Sequence, residues 1–104
     1  MGAHAYVQSM SALFIPYLGN RPATIDVNGH RIVILAEERA QLEECLEAVG
    51  AERVFEVDPE TFRTTEEAVN GIAEATHARV ITAPPDVNLL QLLDGLKYAL
   101  PWVQ

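Results

Sequence analysis

Residues 23–38 read ATIDVNGHRIVILAEE, and how this stretch is read decides the fold. Ala23, Ile25 and Val27 alternate with Thr24 and Asp26, the two-residue period of a strand with one wet face. Asn28-Gly29 comes next, the dipeptide best suited to a two-residue hairpin turn because both residues tolerate positive φ. The return strand, Ile32 to Ala36, is apolar at every position, which predicts cover on both of its faces. It stops on a pair of acids, Glu37 and Glu38.

Outward from this hairpin the pattern alternates. A helix is expected from Glu37 to Val49, ended by Gly50, and then a strand from Val54 to Val57 whose mixed faces suit a sheet edge. Thr64-Thr65-Glu66-Glu67 reads as a capping box that opens a second helix with Ala68, Val69, Ile72, Ala73 and Thr76 inward. Arg79 to Ala83 is the next strand, Pro84-Pro85-Asp86 stops it, and a last helix runs from Val87 to about Leu100. Strands separated by helices of this length imply parallel neighbours joined by right-handed crossovers. The expected fold class is therefore α/β, with element order ββαβαβα in a mixed four-stranded sheet with helices on both faces. The burial pattern orders it as hairpin strand, Ile32 strand, Val80 strand, Val54 strand.

Residues 1–22 read as an N-terminal helical arm, and residues 23–104 as a single α/β domain. In the arm, Tyr6, Met10, Leu13, Phe14 and Tyr17 share one helical face until Pro16 disturbs it, and Gly19-Asn20-Arg21-Pro22 forms a turn. Two placements are open to this arm: against its own domain, or over an apolar surface on a second copy.

At 49% hydrophobic and 21% charged residues the composition is that of a folded globular protein. The formal charge is -8, and 12 of the 15 acids lie between Glu37 and Glu74 against only Arg39, Arg53 and Arg63. Such a stretch repels phosphate, so neither nucleic acid nor an anionic membrane is the expected partner. One cysteine excludes an internal disulfide and points to a reducing cytoplasm. Cys45 shares a helical stripe with Leu42, Leu46 and Val49, the pattern of a buried thiol. The apolar stretch SALFIPYL is too short to span a bilayer, and no basic start marks a targeting signal.

The chemistry-bearing residues do not assemble into a catalytic set. His4, His30 and His77 stand alone without partners at metal-ligand spacing, so no metal or cofactor is expected. No phosphate-binding glycine motif and no nucleophile elbow occurs. The neighbouring carboxylates Glu43-Glu44 and Glu66-Glu67 point different ways on their helices and cannot share a proton.

From Arg31 to Leu100 the pattern resembles the first half of a response-regulator receiver domain, where an acid pair follows the first strand and a phosphate-accepting aspartate ends the third. On that resemblance Glu37 and Glu38 take the metal-binding acid positions, and the acceptor falls on Thr82 or the adjacent Ala83. A threonine without a nearby base is a poor phosphoryl acceptor, so the resemblance implies the shape more than the chemistry. The segment ARVITAPPDVNLLQLLDGLKYALPWV, residues 78–103, also resembles the closing strand, loop and leucine-rich helix of anti-sigma-antagonist (STAS) domains. Their regulatory phosphoserine starts a helix, a place held in this chain by Thr64 and Thr65, of which Thr64 also reads as the helix N-cap.

What remains is surplus apolar surface. Leu89, Leu90, Leu92, Leu93, Leu96 and Leu100 cover more of the last helix than one buried stripe requires. Tyr98 and Trp102 follow, and with Tyr6, Met10 and Phe14 they are expected to form one interface. The expected function is a non-catalytic regulatory or adaptor domain that works by protein–protein contact as a homodimer. The alternatives are a phosphoryl-accepting switch using Glu37, Glu38 and Thr82, and a small-ligand sensor where the parallel strands end, near Ala36 and Ala83.

Overall fold

The structure is a computed structural model and describes residues 12–103. Its centre is the seven-residue strand His30–Ala36, and the other elements are placed by what they pair with on its two edges. In chain order they are β1 (Phe14–Leu18), β2 (Arg21–Pro22), β3 (Ile25–Val27), β4 (His30–Ala36), α1 (Arg39–Glu43), β5 (Arg53–Glu56), α2 (Thr65–Thr76), β6 (Arg79–Ala83) and α3 (Leu89–Ala99).

One edge of β4 pairs in parallel with β6, from Ile32↔Arg79 to Ala36↔Ala83. The other edge is shared. β3 pairs antiparallel with its first half through Ile25↔Ile32 and Val27↔His30, while β1 meets its last residue through Phe14↔Ala36. From that single pair β1 and β4 part like the arms of a V. β2 fills the opening along β1, through Tyr17↔Pro22 and Leu18↔Arg21, and β3 fills it along β4. The far edge of β1 carries β5, antiparallel from Phe14↔Glu56 to Tyr17↔Arg53. The six-stranded sheet thus runs β5, β1, β4, β6, with β2 and β3 in the gap between β1 and β4.

This corrects the ββαβαβα expectation of four strands. The sheet has six strands, four of its five pairings are antiparallel, and the strand at Val54 does not lie beside the strand at Val80. The helical arm is corrected for its described part. Phe14–Leu18 is an inner strand of the sheet, and residues 1–11 lie outside the described residues. Phe, Ile and Tyr at 14, 15 and 17 favour strands, and Pro16 disfavours a helix interior. Within the strand Pro16 costs little. Its carbonyl accepts from Ala23 at 2.8 Å, so its missing N–H also faces the V and removes no bond to β5.

β4 separates two apolar layers. Ile32, Ile34 and Ala36 face a core that includes Leu42, Cys45, Val49, Leu89 and Leu93, under α1 and α3. Val33 and Leu35 face the other, with Leu13, Ile15, Val57, Ala68 and Ile72 under α2. The helix expected from Glu37 to Val49 is regular only from Arg39 to Glu43. Beyond it the chain mixes three- and four-residue bonds, such as Cys45 N–H to Leu42 and Val49 N–H to Cys45. Glu43, Glu44 and Glu47 crowd these turns, and like charges at such spacing weaken a helix. Among the described residues no helix is long and apolar enough to cross a membrane.

Candidate functional site

The last helix ends on a strap that the β3–β4 hairpin holds in place. The Asn88 side chain caps its start by accepting from Gln91 N–H at 3.1 Å. Leu89 and Leu93 are buried, while Leu90, Asp94, Lys97 and Tyr98, spaced at four, three and one, share the outward face. At the helix end Pro101 has no N–H, which orphans the carbonyl of Lys97 four residues back. The Asn28 amide supplies the missing donor. Its Nδ2 donates to Lys97 O at 2.9 Å and to Leu100 O at 2.7 Å.

Further bonds fix the strap. Val103 N–H donates to Asn28 O at 2.9 Å, and His30 Nε2 lies 2.7 Å from Pro101 O. Asn28 and Gly29 adopt φ of 55° and 87°, and a Cβ at Gly29 would sit 2.9 Å from Val103 Cβ. Asn28 is therefore both a turn residue and the tertiary cap of α3.

Trp102 stands between two anchored neighbours, yet the residue is 72% exposed, and Tyr98 is 86% exposed. A cavity of about 480 Å³ is lined by both, and a second of about 500 Å³, at Leu90, Leu93 and Asp94, shares Asp26, Val27 and Lys97 with it. They form one trough from Leu90 to Trp102. With the backbone fixed, burying Trp102 would require only its side-chain rotamers to be ordered.

Of the five residues expected to form one interface, the structure brings Tyr98 and Trp102 together. Phe14 lies apart, paired with Ala36 at the far end of β4, about 20 Å of strand away from His30. It is half-buried against the α1–α3 core, with the Arg39 guanidinium 5.1 Å above its ring. Tyr6 and Met10 lie outside the described residues. Sequence reasoning missed Asp26, Asn28 and Lys97 as parts of this face. The Asn-Gly signal announced the turn, but nothing local ties residue 28 to carbonyls at 97 and 100.

The acid pair at the end of β4 is placed by backbone bonds. Glu37 N–H donates to Ala83 O at 3.1 Å, and Glu38 N–H to the Gln41 side chain at 3.0 Å. Gln41 Nε2 then reaches Pro84 O and Val87 O, at 2.7 and 2.9 Å, and latches the loop after β4 to the loop after β6. Ala36 and Ala83 are fully buried beneath this latch, and the cavity lined by Gln41 and Val87 holds about 180 Å³. That is smaller than the few hundred Å³ of an ordinary ligand pocket. Thr82 is half-buried, and strand alternation turns it away from the face that Ala83 shares with α1 and α3. The Thr64 hydroxyl caps α2 by accepting from Glu67 N–H at 3.0 Å, Glu67 answers to Arg63 N–H at 3.0 Å, and Thr65 is exposed.

The one cysteine is buried, and its thiol donates to Gln41 O at 3.1 Å. Burial pushes the Cys45 thiol pKa up, with the Glu44 carboxylate adding to the shift, so the group is the inert protonated thiol at neutral pH. Among the described residues no group of three or more His, Cys, Asp or Glu side chains is placed to hold a metal ion. No family model matches the chain, and no curated protein or solved structure matches it either. The resemblances to receiver and STAS domains thus rest on sequence pattern alone.

Proposed function

We propose that this chain is a cytoplasmic, non-catalytic adaptor or regulatory domain that binds protein, and that it self-associates through the α3–hairpin face. The observation that carries this reading is the exposure of Tyr98 and Trp102 on a backbone held by Asn28 and His30. Withdrawing one such side chain from water contributes about 2–3 kcal/mol, which gives the face a reason to find a partner.

Charge favours a second copy as that partner. Most of the acids lie between residues 37 and 74, and outside that window three acids stand against four cations. The face takes Asp26, Asp94 and Lys97 from the balanced part. A twofold axis would set each lysine against one aspartate of the other copy and leave the second aspartate to solvent at the rim.

Trp102 is the only tryptophan, so its fluorescence reports this face alone. Sedimentation is expected to give a dimer with blue-shifted emission that moves red on dilution. Trp102→Glu is expected to give a monomer with unchanged circular dichroism. A wild type that stays monomeric, with red emission at every concentration, overturns the reading.

A further inference from the structure

The opposite layer carries a second and chemically different cleft. Between α2 and the β1–β5 ladder lies a mainly apolar cavity of about 520 Å³, walled by Tyr17, Phe55, Phe62 and Ile72, with Glu56 and Asp58 also on its lining. Gly71 lets the Phe62 ring close against α2 as one wall of this cavity: a Cβ there would meet the ring, with Cζ at 2.8 Å. At the C-terminal end of α2 a second cavity, of about 580 Å³, is lined by Arg21, Thr24, Arg31, Thr76 and His77. Pro22 and Ala75 belong to both, so the two open into one another at that waist.

We propose that this joined cleft binds an amphipathic anion, a small molecule with an aromatic or alkyl body and a carboxylate, sulfonate or phosphate head. The apolar chamber takes the body, and Arg21 and Arg31 take the head. The two arginines come from separate strands, β2 and β4, and are brought to one cavity only by the tertiary fold. Acids outnumber cations about two to one in this chain, yet among the described residues the one ion pair is Arg39–Glu43. Arg31 donates to Thr76 O at 3.3 Å, both residues lining the second cavity, and its other N–H groups are left for a ligand.

The negative end of α2, roughly half a charge, and the Glu56 and Asp58 carboxylates of the apolar chamber oppose an anion. The head, however, takes the other cavity, whose lining carries Arg21 and Arg31 and no acid. The α2 carbonyls are also partly answered, since both His77 N–H and Ala78 N–H donate to Ala73 O. Arginine's planar fork matches the oxygens of such head groups. The apolar chamber lies within the size range of small-molecule pockets.

The test uses two dyes of nearly the same ring system on the full chain. 1-Anilinonaphthalene-8-sulfonate carries the anionic head, and N-phenyl-1-naphthylamine lacks it. The sulfonate is expected to bind at one per chain, and Arg21→Gln with Arg31→Gln to weaken it about tenfold or more, as lost charge-assisted bonds do. The neutral dye is expected to be indifferent to those changes. Ala75→Leu, at the exposed waist, is expected to weaken both dyes. Trp102→Glu is the control for the opposite face and should leave both unchanged, whether or not the chain self-associates. No saturable sulfonate binding, equal binding by the arginine variant, or loss of binding in Trp102→Glu each overturns the proposal.

Discussion

Replacing Asn28 tests the link between the hairpin and the strap that presents Trp102. Its amide makes two bonds to α3 carbonyls, and the residue sits at φ 55° with 9% of its surface exposed. Each bond contributes about 1 kcal/mol net, and more if the abandoned carbonyl stays dry. A residue with a Cβ at positive φ carries a strain of about 1 kcal/mol, which glycine lacks. Asn28→Ala loses both bonds and puts at positive φ a residue that tolerates it less well than asparagine, for an expected loss of about 2–3 kcal/mol. Asn28→Gly loses the bonds but relieves the strain, for an expected loss of about 1–2 kcal/mol. Asn28→Asp sets a carboxylate against two carbonyls at the negative helix end and should cost the most. In a domain of this size each kcal/mol moves Tm by about 4–8 °C, so the order Gly, Ala, Asp is resolvable. Urea melts followed by circular dichroism give the free energies, and Trp102 emission reports whether the strap detaches first. If Asn28→Gly and Asn28→Ala both melt with the wild type, the amide bonds carry no stability and the capping argument is wrong.

Gly71→Ala is expected to cost about 1–3 kcal/mol by overpacking against Phe62, despite a helix-propensity gain near 1 kcal/mol. Shortening the ring first, as Phe62→Leu, should shrink that cost in a double-mutant cycle, and strict additivity would show that the two do not touch. For Cys45 the raised folded pKa gives a signed pH dependence. Its stabilisation is complete below the unfolded thiol's pKa of roughly 8.5 and fades as pH climbs through that value towards the folded one. The stability gap between wild type and Cys45→Ala should therefore narrow from pH 7.5 upward, and a gap constant to pH 10 counts against the burial argument.

The hairpin, the doubly buried β4 and the Thr64 cap of α2 were legible in the sequence because each is a local signal. Asn28-Gly29 needs only its own backbone preference, Ile32–Ala36 only its unbroken apolar run, and Thr64 only a glutamate three residues on. The place of β1 was not legible. Leu13, Phe14 and Tyr17 fit a helical stripe as well as a strand, and only pairing with β5 and Ala36 settles the matter. Once β1 meets the end of β4 at Ala36, its far edge takes β5, Val54 pairs with Pro16, and the four-strand order is lost. The sites follow the same division. The sequence marked Tyr98 and Trp102 as surplus apolar surface, a property of composition. That Phe14 stands at the other end of β4, that Asn28 replaces the donor Pro101 lacks, and that Arg21 and Arg31 share a cavity are contacts between distant segments. They depend on which strand edges meet, and a pattern along one chain does not encode that choice.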